Sequence, residues 1–316
     1  MNRDIPQEDL NRIFSYHHWR QRIQLTDSFE TPGRNFANEW DSAMLPKSMQ
    51  GLSFLDVGSN DGMFSFLAEK KGARQVYATD IYTNEHNSHM VAGWNNTGVT
   101  IAHEVLQSKV KFHDYSIYEL DKIEGQFDYV YCANVIAWLR DPLTALEQLA
   151  SKAKGTLHLR EDISSMPGSK PALEMVHSFK AGSATCYYNP NKAWFTEVLL
   201  GLGFKEVTIQ AIDEEALLKY RNDHSQLYAV PANTPIVTSP IEVKSHGAIE
   251  SDRTLRSTFE YSSYCFFPSV GWIAKSDISP VESNFLKSSP LKNRLKQMMG
   301  KPVDWPEINF AIIAKR

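Results

Sequence analysis

A glycine-containing turn has the residue types and spacing that best suit ligand binding. Residues 55–62 read Leu-Asp-Val-Gly-Ser-Asn-Asp-Gly and join an apolar run to a helical pattern. Gly58 and Gly62 allow a tight turn and a close approach to a ligand, because neither carries a Cβ. A helix that begins after Gly62 adds free backbone N–H groups at the same place. We predict a ligand pocket here, formed by Asp56, Gly58, Ser59, Asn60 and Gly62.

Acidic and amide side chains follow the next apolar runs in chain order. Asp80 follows the second run, Asp114 the third and Asn134 the fourth. In doubly wound sheets ligands bind beside the carboxyl ends of the strands, so these residues should meet at one edge. A carboxylate after the second strand can accept hydrogen bonds from ribose hydroxyls. The predicted contacts at these positions are Asp80, Ile81, Asp114, Tyr115 and Asn134.

Such a pocket requires strands and helices that alternate along the chain. Short apolar runs predict strands, and periodic segments between them predict helices. The predicted strands are residues 52–57, 75–79, 110–112, 127–133, 156–159, 204–209 and 308–314. The predicted helices are residues 63–71, 142–152 and 192–202. This alternation is typical of an α/β fold in which helices wrap a doubly wound, mostly parallel sheet, here of seven strands.

Two segments that lack the alternating strand and helix pattern flank this core. Aromatic residues at helical spacing in residues 14–25, before a Thr-Pro-Gly turn, predict an N-terminal helical preface over residues 1–50 that acts as a lid. Residues 213–306 contain eight prolines and predict an inserted α+β region that caps the substrate. The remaining predicted segments are the core, residues 51–212, and its terminal strand, residues 307–316.

Composition and charge narrow the classes of function. The net charge is -4, and no run approaches the roughly 20 apolar residues of a membrane span. Cys132, Cys186 and Cys265 are odd in number and far apart, which favours a reducing compartment. Residues 1–10 lack the apolar core of a signal peptide. We expect a cytoplasmic protein with no membrane partner, no metal site and no global basic field for nucleic acid.

The turn and the acidic series resemble the D-x-G-x-x-x-G loop and the motifs that follow it in class I S-adenosylmethionine (SAM) methyltransferases. The loop matches at Asp56, Gly58 and Gly62. By that resemblance the fold is Rossmann-like, SAM is the cofactor, Asp80 holds the ribose and Asp114 binds the adenine amino group. A dinucleotide fingerprint is the rival interpretation, but Asn60 stands at its second glycine and would crowd a pyrophosphate.

The preface resembles a narrower family. Residues 19–25 (Trp-Arg-Gln-Arg-Ile-Gln-Leu), residues 31–33 and residues 187–190 are similar to segments of the tRNA wobble-uridine carboxymethyltransferase family. In that family a Tyr-His pair follows the fourth strand, whereas this chain has Ala137 and Trp138. The missing Tyr hydroxyl removes one donor for the extra carboxylate of a carboxylated SAM, whose burial without partners is costly. We therefore predict plain SAM as the cofactor.

Three titratable residues are candidates for a catalytic base. Methyl transfer is an in-line displacement, in which the protein positions the acceptor and removes a proton if the acceptor carries one. Glu161 and Asp162 follow the fifth strand, and His18 lies in the preface. Aromatic side chains are suited to line a planar acceptor. The predicted substrate contacts are Trp19, Trp138, Tyr187 and Tyr188.

Together these features predict a SAM-dependent methyltransferase that methylates an oxygen or nitrogen atom of a small molecule. Three alternatives stay open: a tRNA wobble-uridine methyl- or carboxymethyltransferase, a SAM-binding module without catalysis, and a nicotinamide-dependent dehydrogenase. A basic amphipathic pattern in residues 284–303 favours a tRNA partner. The acidic charge balance and Ala137 argue against it.

Overall fold

The structure of the chain is a computed structural model that divides into two compact units. It describes residues 4–33, 45–81, 96–164, 169–175, 188–211, 226–257, 259–267, 270–281 and 309–316. The core unit comprises Glu39–Ile212 and Ile308–Arg316, and the accessory unit comprises Met1–Asn38 and Asp213–Glu307. Most of the predicted preface and all of the predicted inserted region lie in the accessory unit, and the predicted domain bounds stay a prediction.

Helices and strands alternate in the core unit, whereas strands predominate in the accessory unit. The helices are α1 Gln7–Ser15, α2 Met63–Lys70, α3 Thr97–Leu106, α4 Pro142–Lys152 and α5 Lys192–Gly201. The strands are β1 Ser53–Val57, β2 Gln75–Thr79, β3 Lys111–His113, β4 Phe127–Ala133, β5 Ala153–Asp162, β6 Leu173–Met175, β7 Tyr188–Pro190, β8 Glu206–Ala211, β9 Gln226–Val230, β10 Pro235–Val237, β11 Ser245–Ala248, β12 Arg253–Ser257, β13 Phe259–Tyr261, β14 Tyr264–Phe267, β15 Gly271–Ala274, β16 Ser279–Val281 and β17 Asn309–Lys315. Short 3₁₀ segments cover Ile117–Lys122, Ile136–Trp138 and Lys275–Asp277.

A seven-stranded sheet forms the centre of the core unit. Its strand order is β3-β2-β1-β4-β5-β17-β8. Strands β1 to β5 pair in parallel, and β17 runs antiparallel between β5 and β8. The order reverses between β1 and β4, which is where doubly wound sheets bind ligands. The predicted doubly wound, mostly parallel fold is confirmed, including the return of the last strand.

Most predicted elements of the core unit match the structure. Strands β2 and β4 and helix α4 have the predicted bounds, and β5 is longer than predicted because it pairs with β4 and β17 along its length. Helix α3 was not predicted. Its N-cap Asn96 makes no side-chain capping bond, and its C-cap is Gln107 in a left-handed conformation instead of a glycine. Asparagine is a usual N-cap residue, so the sequence has a start signal at this helix, whereas the usual stop signal, a glycine, is missing.

Packing on one face of the sheet holds the strand ends rigidly. Leu55 and Val57 of β1 and Val130 of β4 belong to a buried cluster with Leu146 of α4 and Phe195 of α5. Burial of each such side chain stabilises the fold by about 1.5–3 kcal/mol. This packing therefore holds the carboxyl ends of β1 and β4 in place relative to each other.

In the accessory unit, the N-terminal segment and the inserted region share a hydrophobic core. The strands form a sheet of order β11-β10-β15-β14-β13 and a sheet of order β12-β9-β16. The Trp272 Nε1–H donates to the Phe14 carbonyl at 2.8 Å, and the two rings meet edge-on with centroids 5.1 Å apart. His17 Nε2 lies 3.0 Å from the Thr238 carbonyl oxygen. Helix α1 is thus part of this unit's core.

The helical prediction for residues 14–25 is wrong beyond Ser15. Helix α1 ends there, and an isolated bridge joins Gln24 to Glu30. The Thr31 hydroxyl accepts a bond from the Ile23 N–H at 2.8 Å and donates to the Gln21 carbonyl at 2.9 Å. These bonds hold the backbone in a turn-rich form, while the aromatic and aliphatic side chains of the segment still reach the core. Their spacing therefore reflected burial and not helical structure.

Three further predictions concern a membrane, a metal ion and a basic helix that could bind tRNA. None of the helices in the described ranges is long and apolar enough to span a membrane. Within the same ranges, no group of three His, Cys, Asp or Glu side chains is placed to hold a metal ion. The predicted basic amphipathic helix, residues 284–303, lies outside the described residues.

Candidate cofactor site

The carboxyl ends of β1, β2, β3 and β4 lie side by side. Val57 pairs with Thr79 on one side and with Cys132 on the other, and Thr79 pairs with His113. The residues that follow these strands therefore leave the sheet from neighbouring points of one edge. Four predicted cofactor contacts are in this position: Gly58, Asp80, Asp114 and Asn134.

The turn after β1 is bonded to the end of β2. The N–H groups of Gly58 and Ser59 donate to the Thr79 carbonyl at 2.9 and 3.2 Å. Gly58 and Gly62 have φ values of +74° and +88°, and Asn60 has a φ of +53°. Gly62 is the N-cap of α2, so the amino end of that helix faces the turn. Asn60 is tolerated in place of a glycine because asparagine is one of the few residues that adopt this conformation readily.

The Asp80 carboxylate is hydrogen-bonded to the same turn. Its Oδ2 accepts a hydrogen bond from the Asn60 N–H at 2.8 Å, and its Oδ1 accepts one from the Ile81 N–H at 2.8 Å. A carboxylate oxygen can accept more than one hydrogen bond, which is the chemistry that ribose hydroxyls require. Asp80 thus has a structural bond to the turn, and its ribose contact stays a prediction.

Asp56 is a buried carboxylate at the carboxyl end of β1. It is 2% exposed, and the Ser65 hydroxyl of α2 donates to its Oδ2 at 2.6 Å. Burial raises the pKa of Asp56 to about 7; the Ser65 bond opposes this rise, and the charge of Asp80 adds to it. A cationic ligand beside Asp56 would favour its ionised form.

The electrostatic character of this edge is negative. Burial raises the pKa of the Cys132 thiol well above its usual value, and the charges of Glu161, Asp56 and Asp80 raise it further. Three carboxylates thus act on one thiol at the end of β4. A pyrophosphate would be repelled by them, whereas a sulfonium or ammonium group would be attracted.

Thr79 organises the side of the site predicted to bind adenine. Its hydroxyl donates to the Tyr115 carbonyl at 2.7 Å and accepts from the Tyr115 N–H at 3.2 Å. The Tyr115 ring stacks on His113, with centroids 5.5 Å apart and an interplanar angle of 14°. The exposed Asp114 lies between these two stacked residues in the chain. Sequence reasoning missed Thr79 and Ser65, although both flank residues of the recognised motifs.

The segment that follows β4, residues 134–138, is called the β4 loop here. Asn134 has a φ of +55°, and its N–H donates to the Arg160 carbonyl at 2.7 Å. The N–H groups of Val135 and Ile136 donate to Glu161 Oε1 at 2.8 and 2.9 Å. Glu161 is 1% exposed. These bonds give Glu161 a structural task, and its role as a base stays a prediction that they do not support.

The other predicted acceptor-side residues of the core unit lie on adjacent elements. Trp138 ends the 3₁₀ turn of the β4 loop and is half-buried, and strand β7, which carries the half-buried Tyr188, packs against that turn. Asp162 pairs with Asn309 of β17, and its side chain is outside the described set. Tyr187 also lies outside the described residues. Their substrate and catalytic roles stay predictions.

Trp19 and His18 belong to the accessory unit. Trp19 has no exposed surface, and its Nε1–H donates to the Ile13 carbonyl at 2.8 Å. The ring and the donor of Trp19 are thus both used in the core of the accessory unit, and its substrate contact stays a prediction. Burial lowers the pKa of the half-buried His18, and the neighbouring His17 lowers it further. A neutral imidazole can accept a proton, so its predicted role as a base stays open.

A conservative substitution tests the core assignment of Trp19. We expect Trp19→Phe to lower the free energy of unfolding by about 2 kcal/mol, because it leaves a cavity and an unpaired carbonyl at Ile13. Urea denaturation of the full chain measures this change. Trp138→Phe, at a half-buried position, should cost less than half as much. Equal losses for the two variants would contradict the assignment.

The strand order, the glycine turn and the acidic series define the class I methyltransferase fold. The methyltransferase domain family matches residues 28–200, which is more than half of the chain. The chain therefore belongs to the methyltransferase domain family, and most of the matched residues lie in its core unit. No curated protein sequence matches the chain.

Several solved structures are similar to the chain. Magnesium protoporphyrin IX methyltransferase from Synechocystis PCC 6803 shares 20% identity with a TM-score of 0.37, covering 52% of this chain and 65% of that one. A SAM-dependent methyltransferase from Mesorhizobium loti shares 12% identity with a TM-score of 0.40, covering 89% and 98%. A phosphoethanolamine N-methyltransferase from Haemonchus contortus shares 15% identity with a TM-score of 0.45, covering 87% and 50%.

The residues of the site fit SAM. Gly58 makes the tight turn possible through its positive φ, and the Asp80 carboxylate is bonded to the Asn60 N–H of the same turn. The buried Asp56 has a neutral donor, Ser65, as its hydrogen-bond partner in the structure, which leaves its charge available to a cation. SAM carries a sulfonium and an ammonium group, and the negative edge of the sheet suits both.

Proposed function

We propose that the protein transfers a methyl group from SAM to an oxygen or nitrogen atom of a small-molecule acceptor. The observation that carries this proposal is the sheet edge where the glycine turn after β1, bonded to Thr79, lies beside the carboxylates of Asp56 and Asp80. A cationic cofactor complements that edge, and the anionic pyrophosphate of a nicotinamide dinucleotide does not. The family of the chain supports the same reaction class.

In this proposal the chain's residues hold the cofactor and orient the acceptor. Asp80 accepts the ribose hydroxyls, Asp114 and Tyr115 hold the adenine, and Asp56 faces the cationic end. Asn134 contributes from the β4 loop. Bound SAM supplies an electrophilic methyl group, so the protein's contribution is mainly alignment and the exclusion of water.

The acceptor side of the proposal uses aromatic residues and one of the candidate bases. Trp138 and Tyr188, on adjacent elements, are proposed to line a planar acceptor. Asp162 and His18 are proposed as alternative proton acceptors, because the Glu161 carboxylate is bonded to backbone amides. The pH profiles of kcat for Asp162→Asn and His18→Gln separate them: only loss of the true base removes the acidic limb of the profile.

Calorimetric titration with SAM and with NAD tests the cofactor, and transfer of a labelled methyl group in metabolite extracts tests the reaction. We expect SAM to bind and NAD not to bind. Absence of SAM binding at millimolar concentration would overturn the proposal. Tight binding of SAM and S-adenosylhomocysteine with no turnover on any extract would favour a non-catalytic module instead.

The narrower resemblance to the tRNA wobble-uridine enzymes stays a prediction. A tRNA acceptor requires phosphate contacts, whose affinity falls steeply as salt concentration rises. Binding of bulk tRNA with that salt dependence, or recovery of a carboxylated SAM with the purified protein, would favour the tRNA alternative over a small-molecule acceptor.

Removal of the Asp80 carboxylate gives a direct test of the cofactor contacts. We expect Asp80→Ala to weaken SAM binding by about tenfold to 100-fold, because it removes the ribose acceptor and frees the N–H groups of Asn60 and Ile81. Calorimetry measures the Kd. Asp277→Ala, in an exposed 3₁₀ turn of the accessory unit, is the matched control and should bind SAM normally. An unchanged Kd for Asp80→Ala would remove Asp80 from the site.

A further inference from the structure

The geometry points to Glu161 as a positioning residue that holds the β4 loop against the cofactor turn. Its carboxylate oxygen Oε1 accepts the N–H groups of two consecutive loop residues, Val135 and Ile136, at 2.8 and 2.9 Å. Glu161 is thus proposed to act through the loop, without touching the reacting atoms. The inference rests on SAM being the ligand of the turn.

A carboxylate is well suited to this task in a dry environment. Glu161 is 1% exposed and Ile136 is fully buried, so water cannot replace the bond to the Ile136 amide. Bonds from N–H groups to an ionised acceptor are stronger than bonds to a neutral one, and an amide left unpaired in such a place is costly. The bonds join the end of β5 to the start of the 3₁₀ turn.

Val135, whose N–H is bonded to Glu161, lies against Gly58 of the cofactor turn. The bond to Glu161 therefore affects the turn. A Cβ placed on Gly58 would overlap the Cγ2 of Val135, so this side chain lies directly over the glycine of the turn. The position of Val135 therefore sets the space above the turn. That position is set in turn by the bond between its N–H and Glu161.

The bond between Glu161 and the Val135 N–H also affects the side of the β4 loop that is proposed to contact the acceptor. The Trp138 N–H donates to the Val135 carbonyl at 3.0 Å, which closes the 3₁₀ turn. A shift of Val135 would therefore move Trp138, a proposed acceptor contact. Asn134, on the other side, is anchored separately to the Arg160 carbonyl. Glu161 thus governs the part of the loop that faces both ligands.

Two variants at Glu161 of the full chain test the inference, with the Kd for SAM as the readout. We expect Glu161→Ala to raise the Kd about tenfold or more, as removal of groups that orient ligand-binding residues commonly does. Glu161→Gln keeps an oxygen that can accept both N–H groups and should stay within about threefold of the wild-type Kd. This rescue separates the acceptor role from a role as base, because the amide cannot take up a proton.

Glu69→Ala is the matched control for general loosening of the core unit. Glu69 Oε1 accepts the Lys109 N–H at 2.7 Å, and its Oε2 accepts the Ser108 hydroxyl at 2.6 Å, before the start of β3. Its removal also frees a backbone amide, but at the amino end of a strand. We expect this variant to melt at a lower temperature and to bind SAM with an unchanged Kd. An equal rise of the Kd in Glu69→Ala and Glu161→Ala would overturn the inference.

Val135→Ala keeps the test decisive if Glu161→Ala does not fold. It frees no amide, and it removes the methyl group over Gly58. We expect the Kd for SAM to rise about threefold, and the double variant with Glu161→Ala to show less than the product of the two single effects, because both changes act on one contact. Amide hydrogen exchange at residues 135–138 should accelerate in Glu161→Ala and not in Glu161→Gln.

The outcomes distinguish this inference from the proposed function. Failure of the wild-type protein to bind SAM would overturn the proposed function and the inference with it. Normal SAM binding by the wild-type protein together with an unchanged Kd in Glu161→Ala and Val135→Ala would overturn the inference alone.

Discussion

The Gly58→Ala variant should bind SAM about 100-fold more weakly than the wild-type protein. Gly58 has a φ of +74°, where an alanine is strained by about 1–2 kcal/mol, and the added methyl group would overlap the Cγ2 of Val135. The turn or the β4 loop must therefore move, at a total cost of about 2–3 kcal/mol at the cofactor site. Calorimetric titration with SAM measures the loss.

Two companion variants separate strain from overlap. Gly125 has a φ of +82° and open space where its Cβ would stand, so Gly125→Ala carries the strain without the overlap. It should lose stability and keep its affinity for SAM. Val135→Ala combined with Gly58→Ala removes the overlapping methyl group and should recover part of the affinity. Equal Kd values for the double variant and Gly58→Ala would show that the overlap is not the cause.

The Asp56→Asn variant should be more stable than the wild-type protein above neutral pH. Folding raises the pKa of Asp56 from 3.8 to about 7. The folded state therefore holds the proton more tightly, and stability falls as the pH rises from the unfolded pKa to the folded pKa and then stays level. Full ionisation costs about 4 kcal/mol. An asparagine has no charge to bury and avoids this loss.

Urea denaturation at two pH values measures this effect. Between about pH 5 and about pH 8, the stability difference between Asp56→Asn and the wild-type protein should grow by about 2–3 kcal/mol in favour of the variant. Asp141→Asn is the control, because Asp141 is exposed, its pKa is lowered by the Thr144 hydrogen bonds, and asparagine is an equally good N-cap. It should show no such growth. A constant difference for Asp56→Asn would mean that this carboxylate ionises normally.

The same substitution should weaken SAM binding while it stabilises the fold. The proposed cation partner of the Asp56 carboxylate is lost in Asp56→Asn, so affinity should fall most above pH 7, where the wild-type carboxylate is ionised. Higher stability with lower affinity is the pattern expected of a residue kept for its ligand. Higher stability with unchanged affinity would mean that residues other than Asp56 bind the positive charge of the cofactor.

The sequence by itself determined the core sheet and most of the cofactor turn. Apolar runs and helical periods are local patterns that a chain must show to bury one face of each element, so strands such as β2 and β4 were predicted with their observed bounds. Asp56, Gly58 and Asp80 were predictable for a related reason: their types and order follow from the turn that joins adjacent strands.

Only the tertiary structure decided how distant segments combine. The bond from Trp272 to the Phe14 carbonyl joins residues 258 positions apart and places the N-terminal helix and the inserted region in one unit. No local period signals such a contact. In the same way, Glu161 has the residue type of a base, but its bonds to Val135 and Ile136 depend on strands β4 and β5 lying side by side. The type of a residue limits the chemistry that its side chain can perform. Which of those roles it has depends on the groups that the fold places next to it.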